Sequence, residues 1–117
     1  MLQQIELDRT YSRKKYVDDD NFYNILDFAI ETIRKQKIIR LDAGGNYHYM
    51  TFEGDIKVFW IRQKNRNEKN IVFRGKDFEF STYYCVWDEI EIKAKSIEIE
   101  MRHGGLTITF KDKIKMI

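Results

Sequence analysis

Two carboxylates and a lysine are the first residues of this chain whose types and spacing could do chemistry. Asp42 falls where a strand is expected to end, and Asp55-Ile56-Lys57 opens another. Carboxylates so placed can hold a divalent cation while an ammonium group supports the attacking water. Glu31, on a helix expected just upstream, could serve as an accessory ligand.

That spacing resembles the PD-(D/E)xK nucleases, which implies metal-dependent cleavage of nucleic acid centred on Asp42, Asp55 and Lys57. Against it, Glu91-Ile92-Lys93 repeats the same tripeptide, and the downstream strand and helix of that fold are not written in the chain. The nuclease reading therefore ranks third, and no catalytic residue and no metal ligand is assigned. Cys85 sits between Tyr84 and Val86 in an apolar run, the setting of a small core residue with an ordinary or raised pKa rather than a nucleophile. His48 and His103 lack companions at zinc-ligand spacing. Phosphate-loop, dinucleotide and nucleophile-elbow motifs are absent, so no cofactor is expected.

Two groups of residues remain as binding candidates. Arg62, Lys64, Arg66, Lys69, Arg74 and Lys76 form the densest basic run, opposed in its first part only by Glu68 and flanked by Trp60 and Phe73. Cations there could neutralise phosphates, with exposed rings stacking bases. The plainer reading is a solvated hairpin. Tyr47, Tyr49, Tyr83 and Trp87 are set on strand faces opposite other apolar residues, so some of these rings are expected outside the core. Tyrosine, tryptophan and arginine at a rim have the composition of protein-binding hot spots.

The elements that must position these residues are mostly strands. Apolar residues at Ile90, Ile92, Ala94, Ile97, Ile99, Met101, Leu106, Ile108 and Phe110 alternate with polar ones, so a half-buried antiparallel hairpin set is expected. Lys95-Ser96 breaks the alternation as a bulge or tight turn, and His103-Gly104-Gly105 reads as a second turn. Phe22, Ile25, Leu26, Ala29, Ile30 and Ile33 recur at three- and four-residue spacing, which predicts one amphipathic helix. Asp18, Asp19 and Asp20 precede it as caps, and Arg34, Lys35 and Lys37 suit its negative end.

Strands are also expected at Gln3 to Asp8 on an edge, Ile38 to Ala43, Asn46 to Phe52, Ile56 to Arg62, Asn70 to Arg74 and Lys76 to Trp87. Gly44-Gly45 and Glu53-Gly54-Asp55 are read as turns between them, and Arg9 to Lys15 as a connection. Up to eight strands exceed what one helix can cover on a flat sheet. The expected fold is α+β, with the N-terminal-half helix packed on a curled antiparallel β-sheet or a partly open barrel.

The chain has 117 residues, so a single domain spanning 1–117 is the default. A net charge of +2 does not by itself argue for nucleic acid. One cysteine, no secretory signal and no long apolar run point to a cytoplasmic protein away from the membrane. An Ile-, Lys- and Asn-rich composition with no proline fits an AT-rich genome, such as that of a low-GC bacterium or its phages and plasmids. The leading expectation is a non-enzymatic module that occupies the surface of another protein, as an inhibitor, immunity or accessory protein does. A nucleic-acid-binding module using the basic 62–76 hairpin is the alternative. Edges near Leu2 to Leu7 or Thr107 to Met116 would allow a homo-oligomer.

Overall fold

A computed structural model describes residues 5–13, 22–45, 48–62, 69–102 and 104–116; for Ile61, Arg62, Lys69 and Cys85 it describes the backbone only. Aspartates 18–20, expected as caps, and Tyr47, Lys64, Arg66 and His103 lie outside the described residues. The chain runs β1 (Thr10–Ser12), α1 (Phe22–Lys35), β2 (Ile38–Gly45), β3 (Tyr49–Arg62), β4 (Lys69–Arg74), β5 (Glu79–Tyr83), a 3-10 turn (Tyr84–Val86), β6 (Trp87–Ile92), β7 (Ser96–Met101) and β8 (Gly104–Phe110). All eight strands join one antiparallel sheet in the order β1-β6-β7-β8-β2-β3-β4-β5. It curls without closing into a barrel, and the helix packs on it.

The β6-β7-β8 meander follows the expected alternation. Ile90 pairs with Ile99, Ile92 with Ile97, and these lead across to Leu106 and Ile108. All six side chains are buried, as is Phe110. Lys95-Ser96 belongs to a tight turn, closed by the Lys93 amide donating to the Ser96 carbonyl at 2.8 Å. The helix presents Phe22, Ile25, Leu26, Ala29 and Ile33 to this apolar face. One end of the core is then sealed by the C-terminal segment, whose buried Ile114 is tied to the β6–β7 turn through Ala94. Gln36 at the helix end also bonds both Lys113 and Lys115.

Several expectations are corrected. The edge strand is Thr10–Ser12, inside the expected connection, because buried Tyr11 supplies the inward side chain opposite Ile90; Ile5 to Asp8 is not a strand. Glu53-Gly54-Asp55 does not turn the chain. Pairing of Ile38 with Ile56 and of Arg40 with Glu53 leaves an extra residue on β3, a bulge accommodated by Gly54 at φ 117°. The bend lets one long strand pair with β2 through its first half and β4 through its second.

The run Lys76 to Trp87 is not one strand, since the 3-10 turn ends β5 and redirects the chain into β6. Only three residues separate an outermost strand from one beside the opposite edge, and that short link requires strong curl. Trp87 Nε1 donating to Thr82 Oγ1 at 3.1 Å joins the two sides. The sheet edges are β1 and β5; residues 104–110 are interior, between β7 and β2. No described helix is long and apolar enough to cross a membrane.

Candidate functional site

The two glycine pairs read as turns are instead parts of strands, and they lie side by side. Gly44 pairs with Gly105 and Gly45 with Gly104, so the end of the β2–β8 ladder carries four residues without side chains. A Cβ on Gly104 would collide with the Gly44 carbonyl oxygen, which is how closely the two backbones approach there. The Gly45 amide donates to the His48 carbonyl at 2.9 Å, so the end of β2 stays close to the start of β3.

Bare backbone at this end leaves a cavity of about 460 Å³. Its walls are Ala43 and Met50 from β2 and β3, Met101 from β7, Phe80 from β5 and Val86 from the 3-10 turn, with Arg102 and His48 at the same end. None of its described lining residues comes from the helix, and none is acidic. The volume lies within the usual range for small-ligand pockets. Met50 is 50% exposed and Val86 46%. Arg102 is exposed and makes no ion pair among the described residues. Beneath this site Trp87, paired with Met101, is fully buried.

Of the aromatic candidates, Tyr49 alone among those described is largely exposed, at 69%. Its ring lies over Gly44, where a Cβ would collide with it, so the missing side chain on one strand seats the ring of the next. Tyr83 is half-buried. Trp87 is a correction: expected at an exposed rim, it has no exposed surface, because the turn after β5 brings it inward under Met101 and satisfies its N–H on Thr82.

The basic candidates do not form a continuous described patch. Arg62 and Lys69 are opposite each other at the ends of β3 and β4. Arg74 bonds Glu79 through Nε at 3.0 Å, and its guanidinium sits 4.9 Å from the centroid of Phe59. Phe59 is 44% exposed. Lys76 is exposed between β4 and β5. A second concavity of about 440 Å³ separates the helix end from β3. Of its four cations, Lys35 is held by Glu31 at 2.9 Å and Lys57 by Asp55 at 3.6 Å, Arg34 lies over the Trp60 ring, and Lys37 completes the set.

The nuclease candidates are likewise engaged elsewhere. Asp42 accepts from Thr51 Oγ1 at 2.6 Å and from Arg40 Nε at 3.0 Å. Burial pushes its carboxyl up, but the bonds from Arg40 and Thr51 and the Arg40 charge outweigh that and hold it below the ordinary value. In the second copy of the tripeptide, Lys93 reaches Glu98 at 3.2 Å and Glu91 at 3.5 Å. The Glu98 hydrogen bond and charge raise Lys93 above its usual value. Among the described residues no three His, Cys, Asp or Glu side chains gather at metal-binding range.

Comparison with protein-family models, curated proteins and solved structures finds no match. The residues that sequence reasoning missed are Met50, Phe80, Val86, Met101 and Arg102. The available signal was the pair of Gly-Gly steps, one two residues before Tyr47 and the other three residues after Met101, which read equally well as turn punctuation.

Proposed function

We propose that this chain is a non-enzymatic, cytoplasmic protein-binding module, an inhibitor, immunity or accessory protein, that recognises its partner with the open end of the sheet. The observation that supports this is that Met50 and Val86, two of the exposed large apolar side chains, line one mouth together with Arg102, with exposed Tyr49 next to Met50 in β3. Leaving such groups in water is unfavourable by about 25 cal/mol per Å² of apolar surface, and a partner that covers them recovers that free energy. Methionine suits a surface that must adapt its packing, and tyrosine and arginine supply hot-spot contacts.

The test is capture from nuclease-treated native lysate by the tagged protein and by Met50→Glu, read by mass spectrometry. A partner held by the parent and lost with the variant is the expected result. Retention of that partner by Met50→Glu, with the same fold by circular dichroism, would place the contact elsewhere. A second reading, nucleic-acid binding, is favoured by Arg74 over exposed Phe59; it predicts loss of all captured material on nuclease treatment and an affinity that falls steeply with salt.

A further inference from the structure

We infer that the interior of the hairpin-end cavity binds an apolar chain that ends in a carboxylate, with Arg102 holding the head group. This goes beyond the protein-binding reading and does not depend on it, because it concerns the interior of the cavity and a small ligand.

Three features together select this chemistry. The cavity is bounded by Ala43, Phe80, Val86 and the two methionines, so its interior offers contact to hydrocarbon and little to a polar group. Burial of each methylene in such a space contributes about 0.8 kcal/mol. Thioether side chains adjust their rotamers to a chain of variable length. The described charge at the same end is of one sign: Arg102 lines it, and no described carboxylate does.

Arginine presents a planar fork of donors that matches a carboxylate in two parallel bonds. No ion pair among the described residues occupies this guanidinium, so it is available to a ligand. A phosphate-rich polymer fits less well, because the wall behind the cation is hydrocarbon. A neutral lipid would leave the guanidinium without its counter-charge.

The probes are octanoate, octan-1-ol and octanamide, and the reporter is the protein labelled at its methionine ε-methyl carbons. Four methionines are present; of the three described, Met50 and Met101 line the cavity and Met116 does not. Octanoate is expected to shift the Met50 and Met101 methyl signals saturably and leave that of Met116 in place. It should bind more tightly than the alcohol or the amide. Arg102→Gln should weaken octanoate about tenfold, the effect of losing one charge-assisted contact at the surface, and leave octan-1-ol unchanged.

Equal binding of acid, alcohol and amide would overturn the role of Arg102. Movement of the Met116 methyl signal equal to that of Met50 and Met101, or none at Met50 and Met101, would overturn the site itself. These outcomes need no partner, so they are distinct from failure of the capture experiment.

Discussion

At the residue scale, the clearest lesson is that a carboxylate in a catalytic-looking position is here part of a polar ladder across the sheet. Asp42 is paired in register with Thr51 on one side and Thr107 on the other, and its side chain is only 12% exposed. Because its folded pKa lies below that of the unfolded chain, near 3.9, the ionised form stabilises the fold above that range. The contribution is lost as pH falls through the folded value. Arg40 is about half exposed, so solvent screens the pair and the contribution is on the order of 1 kcal/mol. Asp42→Asn should therefore unfold at lower urea than the parent at pH 7, and the difference should shrink at pH 3. An undiminished difference at pH 3 would show that shape, not charge, makes the residue matter.

At the element scale, the two glycine pairs separate what the sequence discloses from what only packing decides. Strand alternation from Ile90 to Phe110 was legible because each inward residue is large and each outward one polar, and the helix stripe was legible for the same reason. A glycine has no side chain to declare a face, so Gly44-Gly45 and Gly104-Gly105 read as turns until their strands were seen in register. Trp87 was misplaced because nothing local marks the 3-10 turn that ends β5. Likewise the bulge at Gly54 looks like a turn to any reading that lacks the partner strand.

The two glycines of β8 are also expected to differ. An added methyl at Gly105 meets only the Ile99 carbonyl oxygen at 3.6 Å, an ordinary contact, and replaces a flexible residue in a strand. Gly105→Ala should be neutral or stabilising by up to about 0.5–1 kcal/mol. At Gly104 the same methyl collides with backbone, so Gly104→Ala should cost about 1–3 kcal/mol as β8 is pushed off β2. Chemical denaturation of both variants measures this, and equal effects would contradict the close approach described.

At the scale of the whole molecule, curl without closure divides the chain into a well-braced centre and two lighter margins. β8 lies between β7 and β2, and its inward side chains are buried under the helix side of the core, whereas β1 and β5 each pair on one side only. The margins are brought near each other by the short turn after Tyr83 and by the Trp87 to Thr82 hydrogen bond, not by a ladder. Opening a margin breaks few backbone bonds, while opening the centre exposes Ile97, Ile99, Leu106, Ile108 and Phe110 together. Hydrogen exchange followed residue by residue should then find the amides of Ile99, Ile108 and Leu41 exchanging only through global unfolding. Amides of β5 should exchange at lower free energy. The cavity end, with Phe80 on β5 as one wall, belongs to the yielding margin, so its mouth can widen without unfolding the centre. Equal protection of β5 and β8 would mean that the contact between the margins is as strong as a ladder, and that the cavity is a rigid feature of the fold.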